Sequence, residues 1–227
     1  MLLYIYVTVH KMPLLQVALD VLCLEEALKI ARLCVEGGID ILEAGTPLIK
    51  EEGLRAVSLL KSLFPEKIVV ADTKTMDAGA LEAKAAFNVG ADVVTVMALA
   101  GVETIREVVE TAKDMGGKVM VDMMNVDKVV EKAVEIYEKC GPDLICLHVG
   151  VDVQKRRGID VSVLIEEAEK IRKTIPVKVA VAGGINAKTA QLFAEKGIDI
   201  LVVGKAIIGS QDPKAATIEI LKSMGRI

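Results

Sequence analysis

The feature of the sequence that most constrains the fold is an alternation of short apolar runs with longer amphipathic stretches. Each run is rich in leucine and β-branched residues and nearly continuous in apolarity, which is typical of parallel strands covered on both faces. The stretches between them place apolar residues three and four positions apart, which predicts helices such as Leu24–Glu36 and Val102–Met115. The predicted strands are Leu14–Leu19, Ile39–Ala44, Ile68–Ala71, Val93–Met97, Val119–Val121, Leu144–His148, Val177–Ala182 and Ile200–Val203.

A repeated Gly-x-Asp tripeptide indicates that the strands come in pairs. It precedes the second, fourth, sixth and eighth apolar runs, with its glycine at Gly38, Gly90, Gly141 and Gly197. Glycine can adopt the left-handed conformation that ends a helix before the chain turns into a strand. Four such pairs imply right-handed βαβ units and favour a closed (β/α)8 TIM barrel of parallel strands over an open sheet.

Length and composition fit one barrel. The chain has 227 residues, 52% of them apolar, and barrels of this size are often undivided. We assign residues 13–227 to the barrel catalytic domain and residues 1–12 to an N-terminal extension. The extension has no basic leading region and is too short to cross a bilayer, so we expect neither a signal peptide nor a membrane anchor. Met12-Pro13 stands directly before the first strand, which makes Met12 a candidate for the natural start.

Charge and cysteine content argue against several classes of function. The 28 basic and 32 acidic residues are interleaved and the chain has no Trp, so neither electrostatics nor base stacking favours nucleic acid or an anionic membrane as a partner. The four cysteines, Cys23, Cys34, Cys140 and Cys146, lack the spacing of a zinc or redox motif. We expect them to be buried thiols of a cytoplasmic protein.

Ionisable residues stand at or near the ends of five predicted strands, where a barrel of this type carries its catalytic groups. Helix capping could explain a single aspartate at such a position, but not a set that converges on one mouth. The fourth strand, which ends in Met97-Ala98, adds nothing to the set. Its members are Asp20, Glu43, Asp72 with the following Lys74, Asp122 and His148.

The ends of the last two strands predict a phosphate site. Gly183-Gly184 follows the seventh strand and Gly204-Lys205 follows the eighth. Glycines let the backbone approach a ligand, and N–H groups at the start of a helix attract an anion. Lys205 would add a point charge. A tight turn alone could explain one Gly-Gly pair, but the two neighbouring segments together favour a sugar phosphate as substrate.

The carboxylates of Glu43 and Asp72 predict a divalent metal. They lie on neighbouring strands and offer hard oxygen ligands, which favours Mg²⁺, with Mn²⁺ as the other candidate. The alternative, that Glu43 only pairs with Lys74, remains open from the sequence. Lys74 stands among acids, so its ammonium is expected to stay protonated and to stabilise developing negative charge rather than form a Schiff base.

Several segments resemble the orotidine-monophosphate decarboxylase superfamily, and within it the 3-hexulose-6-phosphate synthases. The resemblance spans essentially everything from Met12 onward and is most specific in Asp-x-Lys-x-x-Asp and Lys-Thr-Met-Asp-Ala-Gly. The segments that carry it most clearly are Gln16–Asp20, Glu43–Ile49, Ala71–Gly79, Gly90–Val96, His148–Gly150 and Ala182–Gly184.

The resemblance implies a carbon–carbon lyase of the aldehyde-lyase class. Its reaction would be the Mg²⁺-dependent aldol condensation of formaldehyde with ribulose 5-phosphate to D-arabino-hex-3-ulose 6-phosphate, and the reverse cleavage. It also implies a homodimer with shared active sites, in which Asp77 reaches across to the partner's site. Glu43 and Asp72 would hold the metal, while Lys74 and the partner subunit's Asp77 would support the enediolate.

The resemblance gives roles to the remaining strand-end residues. Asp20 would contact substrate hydroxyls or a neighbouring charge. His148 would transfer the proton, since its unperturbed pKa suits neutral pH. Asp122 would be a second polar group near the substrate.

Three other functions are weighed against the synthase. The related 3-keto-L-gulonate 6-phosphate decarboxylases carry Arg where this chain has Val151, and tend to carry Arg where it has Lys205. The first difference favours the synthase, and the second leaves the strength of phosphate binding open. Orotidine 5′-phosphate decarboxylation uses a metal-free Asp-Lys-Asp array and would give Glu43 no purpose. A non-catalytic binding barrel would not need Lys74 flanked by acids.

Overall fold

The computed structural model describes residues 12–158 and 161–227. Its eight strands are all parallel and close into a barrel in chain order, so the predicted (β/α)8 TIM barrel is confirmed. The predicted extension, apart from Met12, lies outside the described residues. The strands are β1 (Leu14–Leu19), β2 (Ile41–Ala44), β3 (Ile68–Thr75), β4 (Val93–Met97), β5 (Lys118–Asp122), β6 (Leu144–His148), β7 (Lys178–Ala182) and β8 (Ile200–Val203).

Amphipathic helices cover the outside of the barrel. The helices predicted at Leu24–Glu36 and Val102–Met115 have those bounds. In the described parts of the chain, no helix is both long and apolar enough to span a bilayer. The helices are α1 (Leu24–Glu36), α2 (Thr46–Glu52), α3 (Arg55–Leu63), α4 (Gly79–Asn88), α5 (Val102–Met115), α6 (Val129–Cys140), α7 (Val151–Arg157), α8 (Val161–Thr174), α9 (Ala187–Glu195), α10 (Lys205–Ile208) and α11 (Pro213–Ser223).

Two apolar layers hold these elements together. Outward-facing strand residues such as Leu15 and Val17 pack against the helices, while the alternate residues fill the barrel interior. The interior layer includes Ala18, Ile41 and Cys146 and forms an apolar floor beneath the carboxyl ends of the strands.

All four cysteines are free thiols, and Cys34, Cys140 and Cys146 are buried as expected. The expectation of burial is wrong for Cys23. That residue is exposed because it directly precedes α1, outside both apolar layers.

The amino end of the barrel explains the Gly-x-Asp repeat. Each of its glycines has a positive φ, between 66° and 98°, so the predicted left-handed conformation is confirmed. The aspartates have a role that the sequence did not reveal, since each accepts a hydrogen bond from the backbone of the preceding strand. These bonds run from Leu15 N to Asp40 (2.7 Å), Val69 N to Asp92 (2.7 Å), Val119 N to Asp143 (3.0 Å) and Val179 N to Asp199 (2.9 Å).

Basic side chains pair with three of these aspartates. Lys61 lies 2.8 Å from Asp92, Lys118 lies 3.1 Å from Asp143, and Arg226 contacts Asp40 through both terminal nitrogens. We call each aspartate, with its strand N–H, an amino-end clasp. The clasps join every odd-numbered strand to the start of the next strand.

Candidate active site

The carboxyl ends of the strands bring six predicted residues into one mouth. Asp20 follows β1 directly, and the other carboxylates lie in β2, β3 and β5. Hydrogen bonds, ion pairs or electrostatic effects link every member to at least one other. We call the set the strand-end array: Asp20, Glu43, Asp72, Lys74, Asp122 and His148.

A bulge in β3 places Lys74 in the array. The pairing of β3 with β4 shifts register between Ala71 and Thr75, and Lys74 has a φ of 46°, in the left-handed region. A non-glycine residue in such a conformation costs about 1–3 kcal/mol and needs support from its surroundings. Thr95 of β4 supplies that support, because its hydroxyl accepts the Lys74 backbone N–H at 2.9 Å.

Lys74 lies between two acids. Its ammonium is 2.5 Å from Oδ2 of Asp72 and 3.5 Å from Oδ2 of Asp122. Burial alone would lower the pKa of Lys74, but the two carboxylates outweigh it and raise the pKa above its ordinary value. The side chain therefore remains a cation. Since these ion pairs are to Asp72 and Asp122, the alternative in which Glu43 only pairs with Lys74 is not supported.

Asp72 is held from both sides by threonines. Thr46 donates its hydroxyl to Oδ2 at 2.7 Å, and Thr95 donates to Oδ1 at 2.8 Å. Asp72 itself is 3% exposed. Neither threonine was predicted. The sequence drew attention to Met97 and Ala98 at the end of β4, whereas Thr95 meets the array from within that strand and Thr46 from the start of α2.

Glu43 is a buried acid of the array, 7% exposed. It accepts a hydrogen bond from Gln16 Nε2 at 2.6 Å. Desolvation, with the nearby carboxylates of Asp72 and Asp20, raises its pKa well above the ordinary value. Glu43 therefore lies where negative charge is under-compensated, which is where a bound cation would lower the energy most.

Asp122 and His148 form a hydrogen-bonded pair. His148 Nδ1 lies 2.8 Å from Asp122 Oδ2, and the Met124 backbone N–H donates to Oδ1 at 2.9 Å. Burial by itself would raise the pKa of Asp122, but the bond from His148 and the charge of Lys74 lower it. An ionised carboxylate can only accept, so Nδ1 of His148 carries a proton and Nε2 of a neutral ring is left as a base.

Asp20 fits between two glycines. A methyl group added at Gly45 would come 2.2 Å from its Oδ1, and one at Gly204 would come 3.5 Å from its Oδ2. Partial desolvation and the charge of Asp72 raise the pKa of Asp20, although solvent reaches its side chain. The missing side chain of Gly45 thus makes room for Asp20.

The predicted phosphate residues lie on neighbouring strand ends, after β7 and β8. Gly183 and Gly184 have φ values of 110° and 66°. A methyl group at Gly183 would come 2.5 Å from the Val149 carbonyl oxygen, so packing against the β6–α7 loop also requires glycine here. Gly204 directly precedes α10, and Lys205 is exposed as its first residue.

Asp77 stands apart from the array. It is exposed, and it makes no hydrogen bond or ion pair with any residue in 12–158 or 161–227. Its neighbour Ala78 has a φ of 52°, which turns the chain sharply into α4. Within the described residues, Asp77 therefore takes no part in the array.

The array suits a metal that takes few protein ligands. Among the described residues, no group of three or more His, Cys, Asp or Glu side chains has the arrangement of a metal centre. Mg²⁺, however, is commonly held by one or two carboxylates, with water and substrate oxygens completing its shell. Glu43 and Asp72 match that pattern in number and in chemistry.

A parallel barrel with an acid–lysine–histidine array at its carboxyl end belongs to the class of barrel enzymes that stabilise an anion and move a proton. The family model described as "Orotidine 5'-phosphate decarboxylase / HUMPS family" matches residues 13–220. The chain therefore belongs to this family of enzymes, and the predicted resemblance is confirmed.

The chain is also similar to individual members of this family. The chain is 41% identical over 206 residues to a 3-hexulose-6-phosphate synthase of Mycobacterium gastri, covering 91% of this chain and 97% of the relative. The crystal structure of 3-hexulose-6-phosphate synthase from Salmonella typhimurium is 36% identical, with a TM-score of 0.87 over 93% of this chain and 98% of that one. A crystal structure of KGPDC from Streptococcus mutans is 28% identical, with a TM-score of 0.89 over 96% and 99%.

Proposed function

We propose that the protein is a carbon–carbon lyase that condenses formaldehyde with ribulose 5-phosphate to D-arabino-hex-3-ulose 6-phosphate, and catalyses the reverse cleavage. The observation that carries the proposal is the strand-end array. Its cation, Lys74, lies between Asp72 and Asp122, and Asp122 also orients His148. This arrangement combines a fixed positive charge for an enediolate with a base for proton transfer.

Glu43 and Asp72 would hold Mg²⁺, or Mn²⁺ in its place. When bound, the metal supplies Lewis acidity toward the ketose carbonyl oxygen and a vicinal hydroxyl, which lowers the energy of the enediolate. Thr46 and Thr95 keep Asp72 in position, and Gln16 contacts Glu43.

The remaining residues would transfer one proton and guide the formation of one carbon–carbon bond. Nε2 of His148 accepts the proton from C1 of the ketose, and Asp122 stabilises the imidazolium that results. The enediolate carbon attacks the carbonyl carbon of formaldehyde, and the new alkoxide takes a proton from the same ring. Lys74 and the partner subunit's Asp77 support the enediolate, while Asp20 accepts hydrogen bonds from substrate hydroxyls.

The phosphate would lie at the ends of β7 and β8. Backbone N–H groups around Gly183, Gly184 and Gly204 would contact its oxygens, and Lys205 would add charge from the first residue of α10. This position would keep the phosphate away from the acids of the array.

The nearest alternative is decarboxylation of 3-keto-L-gulonate 6-phosphate. Backbone similarity does not separate the two functions, since the TM-scores of 0.87 and 0.89 are nearly equal. Sequence identity favours the synthases, at 36–41% against 28%. So does Val151, an exposed apolar residue where the decarboxylases carry Arg.

Paired-substrate assays test the proposal. With Mg²⁺ present, we expect the protein to consume formaldehyde together with ribulose 5-phosphate, and to lose this activity when EDTA is added. Turnover of 3-keto-L-gulonate 6-phosphate without the aldol reaction would establish the alternative. To separate catalysis from mere binding, Asp72→Ala should remove metal-dependent turnover, whereas a non-catalytic binding barrel would keep its sugar-phosphate affinity unchanged by the substitution.

Shared active sites in a homodimer require a separate test. Asp77→Asn and Lys74→Met should each be inactive, and mixed dimers of the two should regain activity because one site then has both residues. Mixing that restores nothing, although the dimers exchange subunits, would place Asp77 outside the partner's site.

A cytoplasmic location stays a prediction.

A further inference from the structure

Gln16 is a polar side chain at a position inside the barrel where an apolar residue is expected. It is 1% exposed and shares the inward face of β1 with Leu14 and Ala18, which pack into the apolar interior layer. Burying an amide among apolar side chains is costly unless all its polar atoms find partners. The residue type at this position therefore needs a reason other than packing.

The amide of Gln16 is only half satisfied. Nε2 donates to Glu43 Oε2 at 2.6 Å, whereas Oε1 is buried and has no hydrogen-bond partner among the described residues. An apolar residue of the same shape would avoid the unpaired oxygen but would leave Glu43 without its donor. What distinguishes glutamine here is the bond to Glu43.

Glu43 has nothing else to fix its orientation. Within 12–158 and 161–227, Gln16 provides its one hydrogen bond. The charges that act on it are Asp72 and Asp20, which repel it, and Lys74, which attracts it but is already paired with Asp72. Without the amide, the carboxylate would turn away from the other acids.

We propose that Gln16 is a positioning residue, which aims the Glu43 carboxylate into the mouth so that it can share a divalent cation with Asp72. The inference rests on the proposed function only in its metal site. Gln16 would orient this one ligand before the metal binds. Second-layer partners of this kind typically change metal affinity about 10–100-fold when they are removed.

Gln16→Met tests the proposal, since methionine keeps the length and removes the donor. Mn²⁺ titrated into the metal-free protein, without substrate, is followed by the electron paramagnetic resonance of the free ion. We expect binding about 10–100-fold weaker than in the unsubstituted protein. The thermal midpoint should also fall, because the buried Glu43 carboxylate loses its donor. A purely structural Gln16 would lower the midpoint but leave the Mn²⁺ affinity of the folded protein unchanged, and that result would overturn the proposal.

Gln191 offers a matched control. It is exposed on α9 and donates to Glu195 at 2.8 Å, far along the chain from the array. Gln191→Met removes a similar Gln–Glu bond and should leave Mn²⁺ affinity as it is. A comparable loss in both variants would overturn the proposal.

A second measurement covers the case in which Gln16→Met does not fold. In the ¹⁵N spectrum of the unsubstituted protein, the side-chain amide of Gln16 should shift on addition of Mg²⁺, while that of Gln191 should not. An unmoved Gln16 signal in the loaded protein overturns the inference, as does a protein that binds neither Mg²⁺ nor Mn²⁺. If the variant binds metal weakly but the unsubstituted protein performs no aldol reaction, Gln16 keeps its role and the proposed function fails.

Discussion

The two ends of the barrel use the same kind of residue in opposite ways. At the amino end, four aspartates each accept a strand N–H, and a basic side chain lies beside three of them. At the carboxyl end, four carboxylates surround one lysine and one histidine, and at two of them, Asp20 and Glu43, burial and the neighbouring carboxylates raise the pKa. Acids that are individually neutralised stabilise the fold, whereas acids left in excess are suited to binding a cation.

The largest difference between the two ends should appear in kcat when one lysine at each end is replaced by methionine. Lys74→Met removes the charge proposed to face the enediolate, and we expect kcat to fall about 10²–10³-fold, as for the loss of one oxyanion donor. Lys61→Met, which frees Asp92 at the amino end, should leave kcat unchanged. Steady-state kinetics on both variants checks this. Equal losses would mean that the barrel transmits charge effects from end to end.

Removing an acid at the amino end should weaken the fold instead of the chemistry. Asp92→Ala leaves the Val69 N–H without its acceptor and Lys61 without its partner. We expect the free energy of unfolding to fall by about 1–3 kcal/mol, measured by urea denaturation, with kcat per folded molecule retained. A loss of kcat at full stability would contradict the assignment of the clasps to structure.

Removing the charge of Glu43 should raise the free energy of unfolding and abolish activity at the site. In the metal-free protein at neutral pH, Glu43→Gln is expected to raise the unfolding free energy by roughly 0.5–2 kcal/mol, the usual size of a stabilising substitution. The folded pKa of Glu43 is raised, so its ionisation costs stability as pH rises through the ordinary value of about 4.3 and beyond. The gain should therefore vanish below about pH 4. A gain that did not change with pH would point to packing.

The contribution of Asp122 to stability should have the opposite sign to that of Glu43. Its folded pKa is lowered, so its charge stabilises the protein above the ordinary value of about 3.9, and this contribution is lost as pH falls through the folded pKa. Asp122→Asn should thus destabilise the protein at neutral pH and have little effect in strong acid. Thermal melts over a pH series distinguish the two acids.

The smallest effect is expected at the clasp whose basic partner is the most exposed. Lys118 and Asp143 lie 3.1 Å apart, but their side chains are 57% and 37% exposed. Lys118→Met should change the unfolding free energy by less than about 1 kcal/mol, and less still at high salt. A larger loss in urea denaturation would show that this pair depends on more than its surface charge.

The fold could be predicted from the sequence because its signal is local. Four strands, β1, β4, β6 and β8, have the predicted bounds, since apolar runs flanked by glycine or charge define them. β3 was predicted to end at Ala71 but continues to Thr75. Its last part is polar, and only pairing with β4 across a bulge makes it a strand.

The site could be predicted only in part. Strand-end acids are visible because barrel geometry makes them converge. Thr46, Thr95 and Gln16 were not found, because a hydroxyl or amide within a strand or at the start of a helix acquires meaning only when a neighbouring element meets it. The Gly-x-Asp repeat was noticed for its glycines, yet its aspartates hold the strands. An acid is either paired with a basic side chain or placed close to other acids. Residues distant in sequence decide which of the two occurs.

The clasps also set an order in which the chain can assemble. Each aspartate lies only 20 to 25 residues after the strand N–H that it accepts, so each quarter of the barrel can form as the polypeptide emerges during synthesis. Arg226 is different, because it reaches Asp40 across 186 residues. Arg226 can pair with Asp40 only after α11 has been made, so the first quarter of the barrel waits longest for its cation.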